Sequence, residues 1–246
     1  MSGRPEMPNA MPNAAAEREA GRLTPRAFRA FQDARPDTER WELIDGTPVM
    51  MTPPSLAHNR IASNLERALN DALEAHDPGK EAVQRPGIEL ALDPQALPPN
   101  LAARLRAYRP EPDVAIVDHA PAPGRRFVSR AYLLAEILSD ADAAGAPAPA
   151  DDERLVAGGA RWIDVKTRLY RAHAPCTAVL VVEQTRIAAR LWRRTGDGEG
   201  RGDGDGGLWR EEILAGADAP LDLAAFGLRC ALGALYAGTW LRPRRG

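Results

Sequence analysis

The stretches that decide the fold are PDVAIVD, residues 112–118, and AYLLAEIL, residues 131–138. A short continuous apolar run such as the first is typical of a buried strand. The second run is compatible with either a helix or a strand by periodicity alone, and we predict that its second half is a strand. The two segments together predict adjacent strands of a mixed sheet.

Each of these apolar segments carries one acidic residue, Asp113 in the first and Glu136 in the second. A carboxylate in such a segment is costly to bury unless a metal, a cation or hydrogen bonds neutralise it. Two carboxylates on neighbouring strands would form an oxygen-rich pocket suited to Mg²⁺ or Mn²⁺. The alternative is a pair of acids at a strand edge that arginine residues neutralise.

A lysine follows on the next predicted helix, where WIDVKTRLY, residues 162–170, places Lys166 and Tyr170 one turn apart on one face. Lys166 and Lys80 are the only lysines among the 32 basic residues. A lysine in an arginine-dominated chain is consistent with a position that requires a compact ammonium group. The alternative interpretation is a solvated helical side chain.

Other segments predict a fold of the α/β class, a mixed α+β sheet flanked by helices. Asp45-Gly46 between apolar runs indicates a hairpin over residues 41–51, and Ser55 is suited to cap a helix over 56–75. That helix has His58 at its third position. The remaining predictions are helices at 24–33 and 153–173, strands at 81–92, 176–184, 186–194 and 208–214, and a short strand or turn plus a C-terminal helix within 221–241.

The chain contains 246 residues, of which 44% are hydrophobic, enough for one well-formed core. We expect a disordered tail over residues 1–22 and a single domain over 23–246, with flexible insertions near 140–152 and 196–207. A run long and apolar enough to span a membrane is absent, and the two cysteines form no zinc pattern or disulfide framework. These features predict a cytoplasmic protein.

The ordered set of motifs resembles the Uma-two family of restriction-endonuclease-like proteins, which have a PD-(D/E)XK core. The motifs are WELIDGTPVMM, PPSLAHNRIASNL, PDVAIV, AEILS and KTRLY, in that order between about residue 41 and residue 240. The resemblance implies a nuclease that uses Mg²⁺ or Mn²⁺ and acts on DNA. It also makes a homodimer plausible, because many proteins with this fold form dimers.

The resemblance assigns a role to each matching residue. Asp113 and Glu136 match the acidic metal ligands, and Lys166 matches a catalytic lysine that this family carries on the following helix. Position 138, where the superfamily pattern has a lysine, is leucine here. Three further residues match recurring or neighbouring positions and are candidate accessory residues: Glu42, His58 and Tyr170.

Because the net charge is only −2, we expect DNA to bind at a local basic patch, for which residues 104–109 and Arg125-Arg126 are candidates. The segment between Ser139 and Lys166 is longer than the family's usual connection. That difference favours an alternative function, a non-catalytic nucleic-acid-binding or regulatory module with a degenerate site. A purely structural domain would instead be marked by an exposed apolar face on the C-terminal helix.

Overall fold

The structure is a computed structural model that places a six-stranded mixed sheet between helices. The described residues are 18–19, 22–36, 38–44, 46–51, 53–91, 108–119, 124, 126–138, 162–195 and 209–243. The insertions expected near 140–152 and 196–207, and most of the expected tail, lie outside these residues. Within residues 1–23, Arg18–Glu19 (β1) and Arg22–Leu23 (β2) pair as a short antiparallel ladder.

The main sheet has the strand order β12-β11-β10-β9-β7-β5. Only β9 and β10 pair in parallel within it, and the other neighbouring strands are antiparallel. Both segments that decide the fold are central strands, and the second is a strand over its whole length. The strands are β5 (Lys80–Gln84), β7 (Val114–Asp118), β9 (Ala131–Leu138), β10 (Ala178–Glu183), β11 (Ala188–Arg194) and β12 (Trp209–Ala215).

Three α-helices are described, and two of them begin where the sequence provides a cap. Thr24 accepts a hydrogen bond from the Ala27 N–H before the first helix, and Ser55 accepts one from the His58 N–H before the second. The third helix lies in the connection from β9 to β10, because two parallel neighbours need a crossover. The helices are α1 (Pro25–Asp33), α2 (Leu56–His76) and α3 (Trp162–Ala172).

The two faces of the sheet are covered by different elements. Helix α2 packs on one face, where Ile61, Leu65 and Leu69 are fully buried against alternate residues of the central strands. Helix α3 packs on the opposite face through Ile163 and Leu169. The prediction of a mixed sheet flanked by helices is therefore confirmed.

Three further two-stranded ladders surround the main sheet. The predicted hairpin is formed by β3 (Trp41–Ile44) and β4 (Thr47–Met50), and the bend near Pro86-Gly87 separates β5 from a short strand β6. The other ladder strands are β6 (Gly87–Ile88), which pairs with β8 (Phe127–Val128), and β13 (Pro220–Leu223), which pairs with β14 (Leu228–Ala231).

The prediction of a C-terminal α-helix is wrong. Residues Ala224–Phe226 and Leu232–Tyr236 form short 3-10 helices on either side of β14. Gly227 has a φ of 72°, which ends the first of them, and a Cβ on Gly233 would lie 2.8 Å from the Ala217 carbonyl oxygen. Strand pairing and this close backbone approach override the helical apolar spacing. In the part of the chain that the structure describes, no helix is long and apolar enough to cross a membrane.

Candidate active site

The register of the central strands brings Asp113 and Glu136 together. Val114 of β7 lies opposite Ala135 of β9 in an antiparallel pair, so the residue before Val114 and the residue after Ala135 lie at the same level. Glu136 shares its face of β9 with Leu134, which packs against α3. Asp113 and Glu136 are 6% and 5% exposed, so both carboxyl groups are largely removed from water.

Asp113 is held by groups from two other elements. Its Oδ2 accepts a hydrogen bond from the Ile137 N–H at 2.8 Å and lies 3.0 Å from His58 Nε2 at the start of α2. Burial opposes ionisation of Asp113, but the hydrogen bond to His58, the charge of that imidazole and the Ile137 N–H outweigh it and lower the pKa of the carboxyl. Asp113 is therefore a buried carboxylate at neutral pH.

Lys166 projects from α3 into the same place and is only 2% exposed. Its Nζ lies 3.1 Å from Glu136 Oε1 and 2.9 Å from Glu42 Oε1. A buried ammonium group is tolerated only with close counter-charges, and these two carboxylates provide them. The lysine singled out in the sequence is thus a buried ion-pair partner and not a solvated helical side chain.

Tyr170 lies one helical turn after Lys166 and contacts the same carboxylate. Its hydroxyl donates to Glu136 Oε1 at 2.5 Å, and the side chain is fully buried. Burial and the nearby carboxylates, first Glu136 and then Glu42, raise the pKa of Tyr170 well above its usual value. The tyrosine is therefore a neutral donor that orients Glu136.

Glu42 comes from the β3–β4 hairpin, and its side chain points into the site. Its Oε1 accepts from Lys166 and also from the Glu111 N–H at 3.0 Å. Its Oε2 is buried and has no hydrogen-bond partner within the described part of the chain. One carboxylate oxygen of this residue therefore remains an unsatisfied acceptor inside the site.

Glu111 is a neighbour of the site that the sequence reasoning missed. It is close to Glu42, and it accepts a hydrogen bond from Gln32 at 3.2 Å. Burial and the charge of Glu42 raise the pKa of Glu111 to about 7, although Arg40, the Gln32 hydrogen bond and Lys166 act in the opposite direction. Its position directly before Pro112-Asp113 was the only feature in the sequence that pointed to it.

A protein-family model matches most of the chain. The Uma2 family, described as "Putative restriction endonuclease", matches residues 26–202, which is well over half of the chain. The chain belongs to the Uma2 family. This is the Uma-two family that the ordered motifs indicated, and the resemblance is therefore confirmed. No curated protein matches the chain.

A solved structure shows that the Uma2 chain has the restriction-endonuclease-like fold. It is the crystal structure of a "putative nuclease belonging to DUF820" from Anabaena variabilis ATCC 29413, which superposes with a TM-score of 0.54. The two chains are 12% identical, and the match covers 84% of this chain and 94% of the other. At this identity the likeness concerns the fold alone.

The structure brings together all six candidate site residues of the Uma2 chain, namely Glu42, His58, Asp113, Glu136, Lys166 and Tyr170. Lys166 contacts Glu136 and Glu42, and Tyr170 contacts Glu136. His58 contacts Asp113 and is 5% exposed, so its imidazole is buried inside the site. The basic segments predicted to meet DNA lie largely outside the described residues.

The carboxylates of the site fit a hard divalent cation. Both hydrogen bonds that Asp113 accepts within the described chain fall on Oδ2, which leaves Oδ1 as its oxygen for an ion. Across the described residues, no group of three or more His, Cys, Asp and Glu side chains could by itself hold a metal ion. Mg²⁺ does not need one, because it keeps several waters and is held by one or two carboxylates together with substrate phosphates.

Proposed function

We propose that this protein is a metal-dependent endonuclease that hydrolyses phosphodiester bonds in DNA. The observation that supports this most directly is the Lys166 ammonium, which lies 3.1 Å from Glu136 at the level of the sheet where Asp113 lies. Two acids and one lysine on a restriction-endonuclease-like fold are the groups that such a reaction needs. Membership of the Uma2 family supports the same reaction class.

In this proposal Asp113 and Glu136 would hold Mg²⁺ or Mn²⁺. The bound ion would supply Lewis-acid stabilisation of the charge that develops on the phosphate oxygens. The carboxylates are well prepared for this role, because burial on the sheet fixes their positions before substrate arrives. His58 and the Ile137 N–H hold Asp113 in its ionised form and in one orientation.

Lys166 is the proposed catalytic cation. Its ammonium group would orient the attacking water and offset negative charge on the phosphate. Glu42 and Tyr170 are proposed as positioning residues, since Glu42 fixes the amine from one side and Tyr170 fixes the orientation of Glu136. The burial of all three groups strengthens each of these electrostatic interactions.

The proposal is tested by nicking of a supercoiled plasmid in Mg²⁺ with the wild-type protein and Asp113→Asn. Loss of one carboxylate ligand removes several kcal/mol of transition-state stabilisation, so we expect a rate at least about 100-fold lower. Asp71→Asn, at an exposed position of α2, is the matched control and should nick at the wild-type rate. Equal nicking by the wild type and Asp113→Asn would contradict the assignment of this site.

A second candidate function is a non-catalytic DNA-binding or regulatory module. The observation in its favour is the degree to which the site is closed: Lys166 is 2% exposed, and Asp113 and Glu136 already have protein partners. Calorimetric titration with Mn²⁺ separates the two functions. Metal binding that Asp113→Asn abolishes supports the nuclease, whereas DNA binding without metal binding at millimolar concentrations supports the module. Dimer formation and a cytoplasmic location stay predictions.

A further inference from the structure

A cavity of about 480 Å³ lies beside the candidate active site, between α1, the β3 strand and the turn that joins β5 to β6. Glu111 forms part of its wall and is connected to the site, because the Glu111 N–H donates to Glu42, which holds Lys166. A ligand in this cavity would therefore lie against Glu111, which stands two positions before Asp113 in the sequence. Cavities of this size commonly receive small organic groups.

The cavity walls combine flat apolar surfaces with hydrogen-bonding groups. Trp41 and Phe127 contribute aromatic rings, and Gln32 and Gln84 contribute amides. Gln32 Oε1 is buried and has no hydrogen-bond partner among the described residues, so one acceptor in the wall is unsatisfied. A nucleobase matches such walls, because it presents ring faces for stacking and polar edges for hydrogen bonds.

Charge in the walls argues against an isolated phosphate as the ligand. Arg35, Arg85 and Arg126 line the cavity, but so do four carboxyl groups. These acids would repel the negative charge of a phosphate but not a neutral base, and a carboxylate accepts hydrogen bonds from the amino groups of bases. The carboxyl groups belong to Glu39, Glu81, Glu111 and Asp118.

Arg85 connects the cavity with the active site. It has a φ of 57°, and it is the single non-glycine residue with a positive φ in the described part of the chain. Such a backbone is unfavourable for arginine and persists only where the surroundings impose it, often at functional sites. The Arg85 Nη2 donates to Asn59 Oδ1 at 3.1 Å, and Asn59 follows His58, which contacts Asp113. A phosphate at the cavity mouth would be within reach of this group.

We propose that the cavity receives one unpaired nucleobase of a DNA substrate while Arg85 binds the adjoining phosphate. A base inside a duplex is stacked and paired, so it can enter a concave cavity in the protein only if it is unpaired or extruded from the duplex. This inference rests on the proposed nuclease function and adds a substrate class, namely single-stranded or locally unpaired DNA. Stacking of the base on the Trp41 ring, in place of the Arg35 guanidinium that lies over it, is expected to supply much of the preference.

The test measures binding of fluorescein-labelled 20-mers by anisotropy in EDTA, where no cleavage occurs. The three oligonucleotides are a single strand, a duplex with one central mismatch, and the fully paired duplex. We expect the full-length wild-type protein to bind the first two about ten-fold more tightly than the third. Arg85→Gly and Trp41→Leu should each reduce that preference at least three-fold, whereas the exposed Arg229→Ala should retain it.

Arg85→Gly is the main variant because glycine adopts a positive φ without strain, so the turn is kept while the guanidinium is removed. Equal affinity for the paired and unpaired oligonucleotides would overturn the inference, as would a preference retained in both cavity variants or no binding to any DNA. These results are distinguishable from failure of the proposed function, which is measured by plasmid nicking with Asp113→Asn. Nicking that depends on Asp113 without a preference for unpaired DNA overturns only the cavity assignment.

Discussion

The two faces of the main sheet differ in what they bury. Under α2 the interior is a continuous apolar layer in which Leu65, Leu69 and Ile116 are completely buried. Under α3 the apolar layer is smaller, and at one end of the strands it gives way to the charged groups Glu136 and Lys166. The same sheet therefore uses one face mainly for stability and the end of the other face for a buried polar site.

This difference follows from opposing free energies. Burial of apolar surface contributes about 25 cal/mol per Å², so the α2 face stabilises the fold wherever it is well packed. Buried charges lose hydration, and their mutual attraction often does no more than offset that loss. A polar cluster of this kind is therefore weak evidence of stability and better evidence of function, and the following predictions test the contrast.

The largest expected effect concerns Lys166 on the α3 face. Lys166→Met keeps the length of the side chain but removes its charge, so we expect plasmid nicking to fall by about 100-fold or more. The variant also removes the ammonium group that neutralises the buried carboxylates of Glu42 and Glu136, which should cost about 3 kcal/mol of unfolding free energy. Nicking rates and urea unfolding curves measure the two effects.

Lys80→Met is the matched control, because Lys80 is the other lysine of the chain and pairs with Asp77 away from the site. It should nick plasmid at the wild-type rate. The double variant Glu42→Gln with Lys166→Met should recover part of the lost stability while remaining inactive. Wild-type nicking by Lys166→Met would disprove its proposed catalytic role.

The next effect concerns the α2 face, where Leu69 is fully buried. Leu69→Ala leaves a cavity in the apolar layer and should lower the unfolding free energy by about 3 kcal/mol. Since Leu69 lies three turns from His58 along α2, nicking well below the unfolding temperature should be unchanged. Chemical denaturation and the nicking rate of the same sample check both statements.

Leu56→Ala is the control on the same helix, because Leu56 is 89% exposed. We expect its unfolding free energy to change by less than about 0.5 kcal/mol. If Leu69→Ala instead reduced the nicking rate of the folded protein, the separation between the two faces would be wrong. The apolar layer would then help to position the site.

A smaller, pH-dependent effect is expected from His173, just after the end of α3. His173 is fully buried, and its Nδ1 accepts from the Ala91 N–H at 2.9 Å. Burial, with a contribution from the charge of Arg194, lowers the pKa of His173 from 6.5 to about 4. Between these values the unfolded chain binds more protons, so the stability present above about pH 6.5 is lost as the pH falls towards 4.

His173→Asn places an amide oxygen near the position of Nδ1 without a titratable group. The wild type should lose more unfolding free energy than this variant between pH 6.5 and 4, with an excess that approaches about 2 to 3 kcal/mol. Urea unfolding at several pH values measures it, and His119→Asn, at a half-exposed position, is the control. Parallel pH profiles of the wild type and His173→Asn would show that His173 is not buried in its neutral form.

Local sequence features correctly predicted the elements whose formation depends mainly on residues close together in the chain. The Asp45-Gly46 dipeptide predicted the β3–β4 hairpin, and Ser55 predicted the start of α2. The prediction failed in the C-terminal region for a physical reason. The apolar spacing there suits a helix, but the pairing of β13 with β14 decides the structure. Short segments have too few local interactions to resist such tertiary contacts.

The sequence by itself determined the candidate chemistry of this protein. Acids in apolar strands required neutralising partners, because isolated buried charges are too costly, and the following helix carried one of the two lysines of the chain. Only the tertiary structure decided which residues are those partners. Lys166 meets Glu42, which lies 124 positions earlier, and Asp113 meets His58, which lies 55 positions earlier. Such pairs depend on how the hairpin, α2 and α3 dock on the sheet, and no local rule of spacing contains that information.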